Sequence, residues 1–251
     1  MIRSVMLGAV CLLLGCGADD GGGDYESTRV EPVVRGARDR GRHPAVVAIR
    51  TREGMLCTGA LIAPTVVLTA RHCVSVTAEA VDCAARRNVF GDHSPSWFEV
   101  TASEDALNAP ADARVSRVLV PDGTNLCGAD VAVLVLDRPL RGITPLAVET
   151  RAPRAGDAVT VVGYGRRGDS GRAGVGTRYT RSDVRVTAVS AREVATTEGT
   201  CQGDSGSPLI DGRTGRVIAV LSRGEDRCVG GSSVWTRATE ALALIARATR
   251  D

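Results

Sequence analysis

Cys201-Gln202-Gly203-Asp204-Ser205-Gly206-Ser207-Pro208-Leu209 is the stretch on which the reading of this chain turns. A serine flanked by glycines in a tight turn exposes its hydroxyl and its backbone N–H to one and the same substrate atom. Gly203 leaves room for a second N–H pointing the same way. A nucleophile, Ser205, and a two-donor oxyanion site, Gly203 with Ser205, can therefore come from a single loop. Taken alone, the stretch reads equally well as an ordinary Gly/Ser/Asp turn.

Two other segments supply the missing chemistry. Val67-Leu68-Thr69-Ala70-Arg71-His72-Cys73 follows the apolar run Ala60–Leu68, which reads as buried strands around a turn at Pro64. Asp130 opens the nearly all-apolar stretch Val131–Leu136, so its carboxylate is carried toward the interior. A buried carboxylate needs a partner, and an imidazole N–H serves. A serine hydroxyl is a poor nucleophile until a base takes its proton, and the carboxylate holds that base in one tautomer.

The order His72, Asp130, Ser205 along the chain is that of chymotrypsin, not of subtilisin or the α/β-hydrolases. With Gly163-Tyr164-Gly165, Ser222, Gly224 and Val234-Trp235-Thr236, the chain resembles the trypsin/chymotrypsin-like serine proteases, the S1 peptidases, from about Val33 onward. Arg71 departs from that pattern, which usually has a small residue there. The resemblance implies an all-β fold of two six-stranded antiparallel Greek-key β-barrels with a C-terminal α-helix. It divides residues 33–251 into a first barrel at about 33–140, a second at about 141–236 and a helix at about 237–250. It implies an endopeptidase in which Ser205 attacks, His72 transfers protons and Asp130 orients His72. The alternative is a weakly active or inactive relative that uses the fold as a binding module.

Pattern agrees with that architecture. Ala45–Ile49, Val115–Val120, Asp157–Val162, Val184–Val189 and Val217–Leu221 are short strand-like runs punctuated by Gly and Pro, and Thr236–Arg250 has helical spacing. The net charge of +2 gives no reason to expect a nucleic-acid partner. No Cys-x-x-Cys or His pair has metal-ligand spacing, and no cofactor is implied.

The resemblance also assigns a substrate pocket: Gly199, Thr200, Gln202, Ser222, Arg223, Gly224 and Ser233. Trypsin-type enzymes carry an aspartate at the pocket base, where this chain has Gly199. Glu198 is one residue out of register. Ser233 replaces a usual glycine, and Arg223 stands where the family has a tryptophan. Activation in the family follows a cut by another protease. The new N-terminal ammonium then pairs with the Asp beside the nucleophile. Here Val33 and Asp204 correspond to those two groups, with Arg29-Val30 as a competing cut site.

The first residues read separately. Arg3 and the apolar stretch Val5–Leu14 resemble a bacterial export signal covering residues 1–15, ending in the lipobox-like Leu13-Leu14-Gly15-Cys16. This implies lipid on Cys16, a membrane-anchored exported protein, and a Gly-rich tether or propeptide over 16–32. Cys11 leaves with the signal and Cys16 takes the lipid. Six cysteines remain for an oxidising compartment. By resemblance Cys57 pairs with Cys73 and Cys201 with Cys228, leaving Cys83 and Cys127 for each other. Arg167-Gly168-Asp169 is an adhesion-type tripeptide, read here as chance in an Arg- and Gly-rich loop.

Overall fold

The computed structural model of the chain describes residues 32–250 except 86, 170 and 226. The signal, the lipobox with Cys16 and the site Arg29-Val30 lie outside the described residues. Nine strands precede residue 137: β1 Ala37–Arg38, β2 Val46–Thr51, β3 Leu56–Ala63, β4 Val66–Thr69, β5 Ser75–Thr77, β6 Val89–Asp92, β7 Phe98–Thr101, β8 Ala113–Leu119 and β9 Ala132–Leu136. Six more follow: β10 Ala158–Gly163, β11 Tyr179–Val189, β12 Glu193–Thr196, β13 Pro208–Asp211, β14 Val217–Gly224 and β15 Ser233–Arg237.

Strands β2-β3-β4-β9-β8-β7 close into one antiparallel barrel. Strands β11-β10-β13-β14-β15-β12 form a second, closed by the pairing of β12 back onto β11, with β1 added at its edge. Two closed six-stranded barrels therefore account for the expected fold. Closure leaves few unpaired strand edges. The buried alternation that drives it is visible in β10, where Val159 and Val161 face the second core while Ala158 and Thr160 are less covered.

Each barrel has its own apolar filling. Ile49, Leu61, Leu68, Phe98, Val100 and Leu134 fill the first, and Val159, Val184, Leu209, Ile218 and Trp235 the second. Trp235 is fully buried, and its indole N–H finds Thr196 Oγ1 at 2.9 Å, which removes the cost of an unpaired donor.

The C-terminal segment corrects the sequence reading. Thr236 and Arg237 belong to β15, Ala238–Ala241 is a tight 3-10 turn, and the α-helix covers only Leu242–Ala248. Pairing of Thr236 with Val220 and of Arg237 with Ala219 keeps the strand going past the point where helical spacing begins. Leu244 and Ala248 then pack into the core of the first barrel, so the C-terminal helix ties the second half of the chain back to the first barrel. No helix among the described residues is long and apolar enough to cross a membrane.

A buried polar cluster seals the seam between the barrels. Arg178, almost fully buried, pairs through Nε with Asp39 Oδ2 at 3.0 Å. Its Nη1 donates to the carbonyls of Val46 and Ala102 and to Tyr164 Oη. Tyr164 in turn donates to the Ser103 carbonyl at 2.8 Å. Burial pushes the Asp39 carboxyl up, but its hydrogen bonds from His43 and the charge of Arg178 outweigh that and hold it at about 2. A carboxyl held below its ordinary value of 3.8 contributes stability above that value and loses it as pH falls toward 2. Arg178→Met strands a buried anion and is expected to cost about 3–5 kcal/mol in urea unfolding. Adding Asp39→Asn should recover part of that loss. A single variant within 1 kcal/mol of wild type, on the order of a surface pair, would contradict the clasp.

Candidate active site

His72 lies in a one-turn 3-10 segment, Arg71–Cys73, directly after β4, and the Cys57–Cys73 disulfide ties that turn to β3. Asp130 sits two residues before β9, which pairs with β4 from Thr69 to Val66. Neighbouring strands of one sheet thus deliver imidazole and carboxylate to the same end of the first barrel. Asp130 is fully buried. Its Oδ2 meets His72 Nδ1 at 2.8 Å and accepts the Ser222 hydroxyl at 2.7 Å, while Oδ1 accepts the His72 backbone N–H at 2.9 Å.

These contacts set the electrostatics. For His72, burial favours the neutral ring, but the charge and hydrogen bond of Asp130 outweigh it and raise the imidazole above its ordinary value. For Asp130, burial acts upward, while His72, Ser222 and the His72 amide bring it below the usual carboxylate value. With Asp130 on Nδ1, His72 Nε2 has only the disulfide sulfur of Cys73 at 3.9 Å and is left for proton transfer.

Ser205 comes from the second barrel, in the turn between Cys201 and β13. Asp204 N–H donates to the Cys201 carbonyl at 3.0 Å and Ser207 N–H to the Asp204 carbonyl at 2.8 Å, which winds the turn tightly. Gly203 (φ 98°) and Gly206 (φ 81°) take the left-handed conformations that the turn needs. A Cβ on Gly206 would lie 2.1 Å from Thr69 Oγ1 and 2.3 Å from the Thr58 carbonyl. The barrels meet here at backbone distance. Among the described residues, the N–H groups of Gly203 and Ser205 donate to no protein acceptor. They are available for an oxyanion. No hydrogen bond joins Ser205 directly to His72, and catalytic hydrogen bonds of this kind commonly tighten only in the complex with substrate.

Thr58 was not legible as a site residue, since nothing but its place after Cys57 marks it. Its N–H donates to the Ser205 carbonyl at 2.7 Å and its hydroxyl to the Gly203 carbonyl at 3.0 Å, so the first barrel holds the nucleophile loop directly. Arg71, the departure from the family pattern, reaches away from the site. Its guanidinium donates to the carbonyls of Pro121 and Gly123.

Asp204 points into the protein. Its Oδ1 accepts from Gly165 N–H at 2.8 Å and Oδ2 from Cys201 N–H at 2.9 Å. Gly163 and Gly165 are glycine because a Cβ on either would fall 2.2–2.7 Å from the Asp204 carboxylate. Among the described residues no cation pairs with it. Burial therefore dominates over the two amide bonds and pushes Asp204 up to about 7. Val33 is fully buried within the second core, and Val34 packs on the Cys201–Cys228 disulfide.

A cleft of about 220 Å³ opens beside Ser205. Thr200, Gln202, Ser222, Arg223 and Gly224 line it, with Leu221, Glu225 and the Cys201–Cys228 bridge. Gly199 and Ser233 do not, contrary to the sequence reading. The missing side chain of Gly199 faces Val184, and Ser233 is buried behind Thr200, their hydroxyls 2.7 Å apart. Glu198 is turned away, bound to Arg35, Arg181 and the Gly230 N–H. A larger cleft of about 790 Å³, around Thr101, Pro110 and Leu140, holds none of the candidate residues.

The three disulfides are Cys57–Cys73, Cys83–Cys127 and Cys201–Cys228. Cys57, Cys73 and His72 cluster closely enough to suggest a metal, but the two sulfurs are bonded to each other and offer no thiolate. Asp169 of the Arg-Gly-Asp stretch is exposed and accepts the Cys228 N–H, and Arg167 lies over the Tyr179 ring.

Comparison with known proteins bears on the same span. The family model described as Trypsin matches residues 33–245. The serine protease SP24D of Anopheles gambiae is 30% identical over 200 residues, covering 71% of this chain and 69% of that protein. Human granzyme M is 28% identical over 204 residues, 71% of this chain and 73% of its own. A trypsin of Saccharopolyspora erythraea is 28% identical over 205 residues, 73% and 82% of the two chains.

Proposed function

This chain belongs to the trypsin family of serine proteases, and on that premise we propose that it is an exported endopeptidase working through His72, Asp130 and Ser205. Ser205 attacks the peptide carbonyl while His72 Nε2 takes its proton. His72 then gives a proton to the leaving amine, and a water repeats the sequence on the acyl-enzyme. Asp130 orients the ring and stabilises the imidazolium. The N–H groups of Gly203 and Ser205 hold the oxyanion. The observation that carries this reading is the buried Asp130 carboxylate, bonded to His72 Nδ1 and Ser222 Oγ beside a serine loop with two unspent amides. The binding-module reading gains nothing from Arg223, whose charge is already paired with Glu193. Ser205→Ala and His72→Ala are each expected to lower kcat on the order of 10⁶-fold with the three disulfides intact. Folded variants retaining a few per cent of wild-type turnover would refute the mechanism.

Specificity follows from the cleft. Glu225, exposed at the rim, spends its carboxylate on the Ser232 N–H and hydroxyl, and Glu198 faces elsewhere. Among the described lining residues Glu225 at the rim is the one carboxylate, so a lysine or arginine side chain reaching the interior of the cleft finds no anion there, and leaving a cation unpaired is costly. Thr200, with Ser233 behind it, suits small or medium apolar side chains at the residue preceding the cut. A peptide-library profile should show that preference. One dominated by Arg and Lys would mean that Glu225 reaches in from the rim or that Glu198 swings into the cleft.

The three disulfides fit folding in an oxidising compartment. The sequence Leu13-Leu14-Gly15-Cys16 supports a lipid on Cys16 and anchorage to a bacterial membrane. Activation by a cut before Val33 would place an ammonium near Asp204, a buried carboxylate with no cation of its own. The carboxyl is raised, so the uncut fold binds a proton more readily than the unfolded chain. Its contribution therefore falls as pH rises from 3.8 through about 7, and an ammonium partner removes that loss. The form beginning at Val33 should be soluble, and above pH 7 more stable and more active than the uncut chain. N-terminal sequencing of membrane and soluble fractions, with an activity assay of each, tests this. Full activity in a form that begins at Cys16 would contradict it.

A further inference from the structure

Arg223 is the position at which this chain departs most from its family within the cleft, and its partner explains the departure. Its Nη1 and Nη2 meet Glu193 Oε1 at 2.7 Å and Oε2 at 3.1 Å, a bidentate pair three-quarters buried on both sides. Glu193 Oε1 also accepts the Gly128 N–H at 2.9 Å. Gly128 has φ 69°, and a Cβ there would fall 3.0 Å from that of Arg192, so the loop leading to Asp130 lies directly against Arg192-Glu193. Arg223 follows Ser222, whose hydroxyl binds Asp130. Two consecutive residues of β14 thus hold the same loop, one by its carboxylate and the other through Glu193.

Electrostatics makes the pair more than a strut. Glu193 is close enough to Asp130 for the two carboxylates to repel. Burial also acts upward on Glu193, yet its bonds and charge contact with Arg223 and the Gly128 amide bring it below the ordinary glutamate value. Two further arginines of these loops already have partners. Arg71 is spent on two carbonyls and lies 3.6 Å from Asp92, and Arg192 pairs with Glu240. Arg223 and Glu193 are therefore a cation and an anion, the latter within electrostatic reach of Asp130, that cancel only while both are present.

We propose that Arg223 and Glu193 are positioning residues for the Asp130–His72 dyad: their ion pair fastens the Gly128–Asp130 loop to the second barrel and keeps the charge beside Asp130 neutral. The proposal rests on the proteolytic reading of the site, but its test need not. A negative charge left alone near the Asp130–His72 pair favours the imidazolium, and a positive one favours the neutral ring. A strut with no electrostatic role would move both variants the same way or not at all.

The test is an NMR titration of ¹⁵N-labelled histidine in the full chain carrying Ser205→Ala, with the His72 signal identified by His72→Gln. Arg223→Gln should raise the His72 midpoint on the order of half a pH unit, and Glu193→Gln should lower it by a similar amount. The double variant should return to within about a quarter of the single shifts, and Arg223→Lys, which keeps the charge, should stay near the parent. Thermal melts and disulfide mapping identify any variant that does not fold, in which case Arg223→Lys and the double variant carry the comparison. In the chain that keeps Ser205, the acid limb of kcat/KM should follow the same order. Shifts of one sign in both single variants, no shift in either, or a double variant displaced as far as a single one would overturn the proposal. Failure of the protease reading would show differently, as absence of Ser205-dependent hydrolysis in the unaltered chain.

Discussion

One buried carboxylate ties the molecule together. Asp130 has no exposure to water, so its charge must be compensated where it lies. Two of its three donors come from His72 on the first barrel and one from Ser222 on the second. The barrels can therefore dock only where both sets of donors reach it. The same docking brings Thr58 of the first barrel against the carbonyls of Gly203 and Ser205. The imidazole and the serine loop arrive from different barrels, yet the carboxylate behind the one and the carbonyls of the other are each held by a bond that crosses the seam.

Close backbone approach is the second constraint. The nucleophile turn has no room for side chains on three sides: Gly206 faces Thr58 and Thr69, Gly203 faces Gly165, and Gly163 with Gly165 face Asp204. Packing at that distance leaves the turn few alternatives, which is how two amide groups stay pointed outward with no protein acceptor. A carboxylate buried against glycines is expensive, and Asp204 answers the cost with two amide donors and a raised tendency to hold a proton.

Much of this was legible before any coordinates. The Gly203–Gly206 turn, His72 after an apolar strand and Asp130 before one are local patterns with a chemical meaning. Short strands at regular spacing point to a β sandwich or barrel, and the two closed barrels and the pairs Cys57–Cys73 and Cys201–Cys228 follow from the family resemblance, with Cys83 and Cys127 left for each other. What escaped notice depended on contacts distant in sequence. Thr58, Glu193 and Arg178 meet partners 145, 30 and 139 residues away, and no local pattern marks them. Gly199 and Ser233 were placed in the cleft by register alone. Register does not say which way a side chain faces, and Val184 and Thr200 occupy those directions. The C-terminal helix was read too long because strand pairing with β14 outweighed helical spacing at Thr236 and Arg237.

The central claim is that Ser205 is a hydroxyl made nucleophilic by His72 and supported by its own turn. Incubation of the purified chain with a serine-directed fluorophosphonate, followed by intact mass and peptide mapping, tests it most directly. The account expects one adduct per chain, on Ser205, that disappears in His72→Ala despite an intact fold. An unlabelled folded chain, or an adduct elsewhere that is indifferent to His72, would contradict it.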